Sequence, residues 1–254
     1  MSNRNARMLV SICLLLGWLG FSGCSSYITP GRGADLARLA PESQTLQEGR
    51  SKERRSETAQ REPKAAFPAH VAVVRVQEPS YKSMTNEGIG KGRYSVVTVR
   101  DIERDEDFER LTKLPLLAKI APLSRMQLPA SFESSKELRQ AALELHADMI
   151  LIYTVDTVFS EADESTPLSA VALGAGSTAD VRITTCISAL LIDARTGYLY
   201  STIEEAAHER ETSSSLSSTE VCDRLRLKIE RRAFERFLYR VEEQWLKVVE
   251  KHRE

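Results

Sequence analysis

The chain has 254 residues, with 35 Lys and Arg against 36 Asp and Glu for a formal net charge of −1, 42% apolar residues and four cysteines. The apolar content is too high for wholesale disorder, the cysteines are too few for a miniature built on disulfides, and the charge balance excludes a generic nucleic-acid binder. The length allows one or two domains.

Arg4 and Arg7 precede an uncharged stretch from Leu9 to Gly23, and Cys24 follows directly. A basic start and an apolar core of about fifteen residues, short of the roughly 20 that span a bilayer as a helix, predict a signal peptide over residues 1–23. Phe21-Ser22-Gly23-Cys24 resembles a bacterial lipobox, with Phe where Leu is usual. The resemblance implies diacylation of Cys24, which becomes the first residue of the mature chain; Ser25 rather than Asp after it implies an outer-membrane lipoprotein facing the periplasm. An ordinary signal peptide cut nearby, or a retained anchor helix, is the plain alternative. Acyl chains contribute about 0.8 kcal/mol per buried methylene, so they hold a domain on a membrane without a spanning helix.

Residues 24–69 hold the lipidated Cys24 and then a run rich in Arg, Glu, Gln, Ser, Gly and Pro with almost no apolar periodicity. Such a run buries too little apolar area to offset its ordering entropy, and it reads as a flexible polar linker with a short helix at Ala34 to Leu39. The domain is placed at 70–254. From His70 onward 25 basic side chains face 30 acidic ones, so an acidic domain follows a mildly basic linker.

His70 to Val76 and Tyr94 to Arg100 are short β-branched runs that predict strands, with glycines punctuating the loop between them. Asp105 to Leu114 carries Phe108, Leu111 and Leu114 at helical spacing, and Pro115 closes it. Ser134-Ser-Lys-Glu137 is a capping-box pattern opening a helix with the stripe Leu138, Ala141, Ala142, Leu145. The unbroken apolar run Met149 to Val155 predicts a central strand covered on both faces. Residues 181–192 alternate, Asp193 to Gly197 form a turn, and Tyr198 to Ile203 return as a hairpin. A long helix from Ser218 to Lys251 presents Val221, Leu225, Ile229, Ala233, Phe237, Val241 and Trp245 at i, i+4 spacing. The fold class is therefore α/β (α+β): one domain with a mixed sheet, a C-terminal hairpin, two short helices and one long C-terminal helix.

Candidate chemistry is sparse. Gly88-Ile-Gly-Lys-Gly-Arg93 lacks the spacing of a phosphate loop and precedes a strand, so it reads as a flexible surface loop. His70, His146, His208 and His252 are scattered, and the glutamate after His208 has no second histidine at i+4, so no metal site is expected. Asp105 to Asp107 and Glu161 to Glu164 read as a solvated helix start and a loop. No catalytic residue and no cofactor is indicated. Once Cys13 leaves with the signal and Cys24 is acylated, Cys186 and Cys222 remain as a possible disulfide or as two free thiols. If bonded, their loop of about 35 residues would contribute roughly 3–4 kcal/mol. The arginines of the last helix are interleaved with acids, which argues against nucleic acid as a partner.

Leu138 to Asp148 with the strand after it, and Ile187 to Tyr200 around Asp193-Ala-Arg-Thr-Gly197, resemble the "helix, Ala-Asp, strand" and "strand, Asp-x-x-Thr-Gly, strand" pattern of periplasmic lipoprotein domains. That group includes the curli-secretion-channel (CsgG-like) subunit and the lipoprotein activators of penicillin-binding proteins. The resemblance implies a compact α/β domain for assembly or for binding a protein partner or cell-wall component, and it carries over no catalytic residue. Curli-type channels add hairpins that build an oligomeric barrel; the comparable insert, Leu168 to Asp180, is short for a spanning hairpin, which makes a homo-oligomeric pore the lesser alternative. An envelope hydrolase with an unrecognised site is a third reading.

Overall fold

The computed structural model describes residues 26–39, 61–161, 170–172, 180–212, 216 and 218–253. The signal segment and Cys24 lie outside the described residues, as do Ala162 to Glu164 and most of the Leu168 to Asp180 insert.

A mixed six-stranded sheet forms the centre. Its strand β2 (Ala69–Gln77) is parallel to β7 (Met149–Glu161) on one side. On the other side β2 is shared end to end: its first half pairs in parallel with β5 (Leu117–Pro122) and its last residues pair antiparallel with β4 (Ser95–Val97). Beyond β7 come β9 (Asp180–Asp193) and β10 (Leu199–Thr212), both antiparallel to their neighbours. β7 is central and apolar as predicted, but it runs six residues past Val155. β10 likewise continues nine residues past Ile203, through a charged stretch that apolar alternation does not mark as strand. β5 carries no strand signal in the sequence; it is an edge segment of six residues, and only Leu117 in it is buried.

The two faces of this sheet make two cores. One holds Val71, Leu151, Tyr153, Ile187 and Leu191 against α4 (Thr219–His252) and α2 (Asp105–Leu111). The other holds Ala72, Val74, Ile150, Ile152 and Ile192 against α3 (Ser135–Glu144) and α1 (Leu36–Leu39). Period-two alternation sends odd and even residues of β2 and of the first part of β7 to opposite cores. α3 starts as its sequence predicts: the Ser134 side chain accepts from Lys136 N–H, and Glu137 accepts from the Ser134 N–H at 3.1 Å.

α4 buries Phe234, Phe237, Leu238 and Trp245, each contributing about 1.5–3 kcal/mol. Its buried face departs from the strict i, i+4 series at the start, where Val221 and Leu225 are half-buried and Cys222 and Arg226 take the inner positions. At 3.6 residues per turn, a pure i+4 series rotates steadily around the helix, so the buried face alternates steps of three and four. Arg110 pairs with Glu242, and Trp245 Nε1 donates to the Pro115 carbonyl at 2.8 Å, which ties α2 and the loop after it to α4.

The Gly88 to Arg93 loop is held in place rather than flexible. Lys91–Gly92 (β3) pairs with Ser131–Phe132 (β6), and Gly90 at φ +95° lies so close to the Phe132 ring that a Cβ would sit 2.1 Å from it.

Candidate functional site

Four places bring polar side chains together. The first is the Asp193 to Gly197 turn. Asp193 is fully buried: one carboxylate oxygen accepts from the N–H groups of Arg195 and Thr196 at 2.8 and 2.9 Å, and the other from Lys64 N–H and the Tyr200 hydroxyl. Gly197, at φ +71°, closes the turn by donating to the Asp193 carbonyl. Asp148, the acid of the Ala-Asp pair, accepts from His70 N–H at 3.0 Å and lies 3.3 Å from Arg195. These residues splice turns to strands. The lone pairs of Asp193 are consumed by four donors, so its role is architectural.

The second is a buried ionic cluster under the first half of α4, which sequence reading missed. Arg75 of β2 lies 2.8 Å from Asp101, 3.8 Å from Glu103 and 3.9 Å from Glu230; Arg226 lies 2.9 Å from Asp223 and 2.7 Å from Glu230. Thr157 donates to Glu230 and touches Thr185, and the Tyr153 hydroxyl donates to Glu103. All six charged side chains are no more than 7% exposed, and two cations face four carboxylates. Burial disfavours the charge on Arg75, but the fields of Glu103, Tyr81, Glu230 and Asp101 outweigh it and hold the guanidinium above its usual range. Burial raises the Tyr153 phenol, and neighbouring Glu103 adds to the effect. The cluster joins β2, β7, β9 and α4, so it fixes the helix on the sheet. Asp223, Arg226 and Glu230 at i, i+3 and i+7 were a legible signal, masked by the many other charges of α4.

The third is the outer face of β7, β9 and β10. Cys186 lies here, its Sγ 3.4 Å from Glu204 Oε1, and burial raises its thiol. Cys222 is buried on the inner face of α4, on the opposite side of the sheet, its thiol pushed up to about 11 by burial. The two thiols are free, and the disulfide is not formed: strand alternation turns Cys186 away from the face on which Thr185 and Ile187 meet α4. On the α4 side, the basic stripe of the helix is met by strand acids, with Lys228 and Arg232 on Glu209 and Arg236 and Arg240 on Glu205.

The fourth is the N-terminal segment, where the linker reading needs correction. Ser26–Ile28 (β1) pairs with Ala170–Ala172 (β8), and Gly33 bridges Gln77. Ala34 N–H donates to Thr154 Oγ1 at 2.7 Å, Leu36 and Leu39 are buried, and further along Thr196 Oγ1 donates to the Glu62 carbonyl. Phe67 packs edge-on against Trp245 at 5.9 Å. Backbone donors and two leucines tie both ends of the segment to the domain, which overall composition does not reveal.

No family model matches the chain and no curated protein matches it. Among solved structures, a putative neuraminyllactose-binding hemagglutinin homologue from Helicobacter pylori is similar at 11% identity and TM-score 0.33, over 72% of this chain and 86% of that one. The PelC dodecamer from Paraburkholderia phytofirmans is similar at 11% identity and TM-score 0.25, over 68% and 89%. Lipoprotein GNA1162 from Neisseria meningitidis is similar at 14% identity and TM-score 0.25, over 65% and 99%. TM-scores of this size do not establish a shared fold. Among the described residues, no helix is long and apolar enough to cross a membrane, and no group of side chains is arranged to hold a metal ion.

Proposed function

We propose that the chain is a lipid-anchored bacterial cell-envelope protein of the outer membrane whose periplasmic α/β domain binds a protein partner or cell-wall component and performs no reaction. The observation that carries this reading is the start of β1 at Ser26: Ser25 alone separates the lipobox cysteine Cys24 from folded chain. Acyl chains on Cys24 would then hold the domain against the membrane with one residue of slack, at most about 3.6 Å of added reach. The CsgG-like and penicillin-binding-protein-activator resemblance supports the same setting.

Partner binding is supported by a depression lined by Lys82 to Gly90, Thr98, Val99 and Arg125. Met84 and Val99 within it are 54% and 59% exposed, and Met126, next in sequence to the lining residue Arg125, is 93% exposed. Exposed methionines beside a β-branched residue suit an adaptable protein contact.

Two measurements test the reading. Cys24→Ala should move the protein from the membrane to the soluble fraction; if it stays in the membrane, the lipid anchor is wrong. A photo-crosslinker at Val99 should trap an envelope protein or peptidoglycan that one at exposed Lys119 does not. Equal yields at both positions would remove the depression as the binding surface.

A further inference from the structure

The outer face of β9 and β10 carries two arginines in an unusual relation. Arg182 and Arg210 are direct cross-strand partners, and the next pair on that face is Thr184 with His208. Like charges directly opposite on a sheet repel, and strands ordinarily separate them or insert an acid. On the α4 face of β10, Glu205 and Glu209 each hold two cations of the helix. Among the described residues neither Arg182 nor Arg210 forms an ion pair, and the Nε of half-buried Arg182 is shielded from solvent with no hydrogen-bond partner. The described acids on this face are Asp180 at the strand end and Asp156 and Glu204 nearer Cys186; none of them pairs with either arginine. Ser160 of β7 lies beside Arg182 in register. Arg182, Thr184, His208 and Arg210 together line a cavity of about 240 Å³.

We infer that these four residues form a binding site for a phosphate group, supplied by the headgroup of an anionic phospholipid. Two guanidiniums in register offer planar N–H forks suited to phosphate oxygens, the Thr184 hydroxyl and His208 ring add donors, and an anionic phosphate between the two cations offsets their repulsion. The lipid source follows from the site's place in the fold and rests on the lipid-anchor reading. The arginines stand at the end of the sheet where β7 stops at Glu161 and β9 starts at Asp180, and β8, between them in sequence, pairs with β1, which begins two residues after Cys24. A membrane-held Cys24 therefore places this end of the domain toward the bilayer surface, where anionic headgroups are concentrated.

The test uses the full-length protein in neutral detergent, with inorganic phosphate and with mixed micelles of phosphatidylglycerol or phosphatidylcholine, read by equilibrium binding and by Tm. Phosphatidylglycerol should bind and raise Tm. R182Q/R210Q should bind it at least tenfold more weakly and show no Tm rise, while its unliganded Tm is no lower than wild type because a repulsion has been removed. R236Q, on the opposite face, should bind as wild type does. Equal binding by R182Q/R210Q, or equal binding of phosphatidylcholine, overturns the site. Saturation by inorganic phosphate with nothing added by phosphatidylglycerol overturns the membrane source. Repeating the titration with Cys24→Ala separates the two readings: binding retained there keeps the site even if the anchor assignment fails.

Discussion

Arg75 and Arg226 on one side, and Arg182 and Arg210 on the other, show how the same side chain serves two purposes in one sheet. The first pair is buried among Asp101, Glu103, Asp223 and Glu230, where neutralisation comes from within the chain. The second pair stands in register on an outer face, without an acid of its own among the described residues. A buried charge must be satisfied internally because water is excluded, whereas a half-exposed one can wait for an external anion. The difference separates a site that holds the fold from one available to a ligand.

The largest effect expected from breaking this contrast is at Arg226. Arg226→Met leaves Asp223 and Glu230 without their shared cation and should cost about 3–5 kcal/mol in urea unfolding. Arg226→Met with Glu230→Leu should cost less than Arg226→Met alone, since an unpaired buried charge is worse than none; a larger loss in the double variant would mean the cluster contributes net stability.

A smaller effect is expected at Asp107. Although burial opposes it, hydrogen bonds from Arg231 and from the Arg104 N–H lower its carboxyl below the usual range. A lowered folded-state value gives stability that is present above the unfolded value of about 3.9 and is lost as pH falls through the folded value. Asp107→Asn should therefore destabilise by roughly 1.5–3 kcal/mol at pH 7, and the gap to wild type should close in unfolding curves taken below about pH 4. A gap independent of pH would assign the loss to packing.

Removing one arginine of the outer-face pair should do the reverse of the Arg226 change. Arg182→Gln should raise stability by about 0.2–1 kcal/mol without phosphate present, and 1 M salt should shrink the gain. The smallest effect concerns the thiols. Dithiothreitol should leave Tm unchanged, and a thiol reagent should modify half-buried Cys186 well before Cys222; a reductant-sensitive Tm would restore the disulfide.

Much of the fold was legible because local signals agreed with it. The capping box at Ser134, the apolar run from Met149 and the Asp193 to Gly197 turn all form as read. The far part of β10 was not legible, because Glu205 and Glu209 are satisfied by a lysine and arginines of α4 that lie 19 to 35 residues away in sequence. The same reason hid the ionic cluster: Arg75 and Glu230 are 155 positions apart, and nothing near either predicts the other.

By itself the sequence determined the α/β class and the main helices and strands, since helical and strand periodicity and caps are written in short windows. The tertiary structure decided what those windows cannot hold. It folded residues 26–39 and 61–69 onto the domain, turned Cys186 away from Cys222, buried Arg226 and left Arg182 opposite Arg210. Each of these depends on which strand lies beside which and which face a helix covers, and long-range packing sets both.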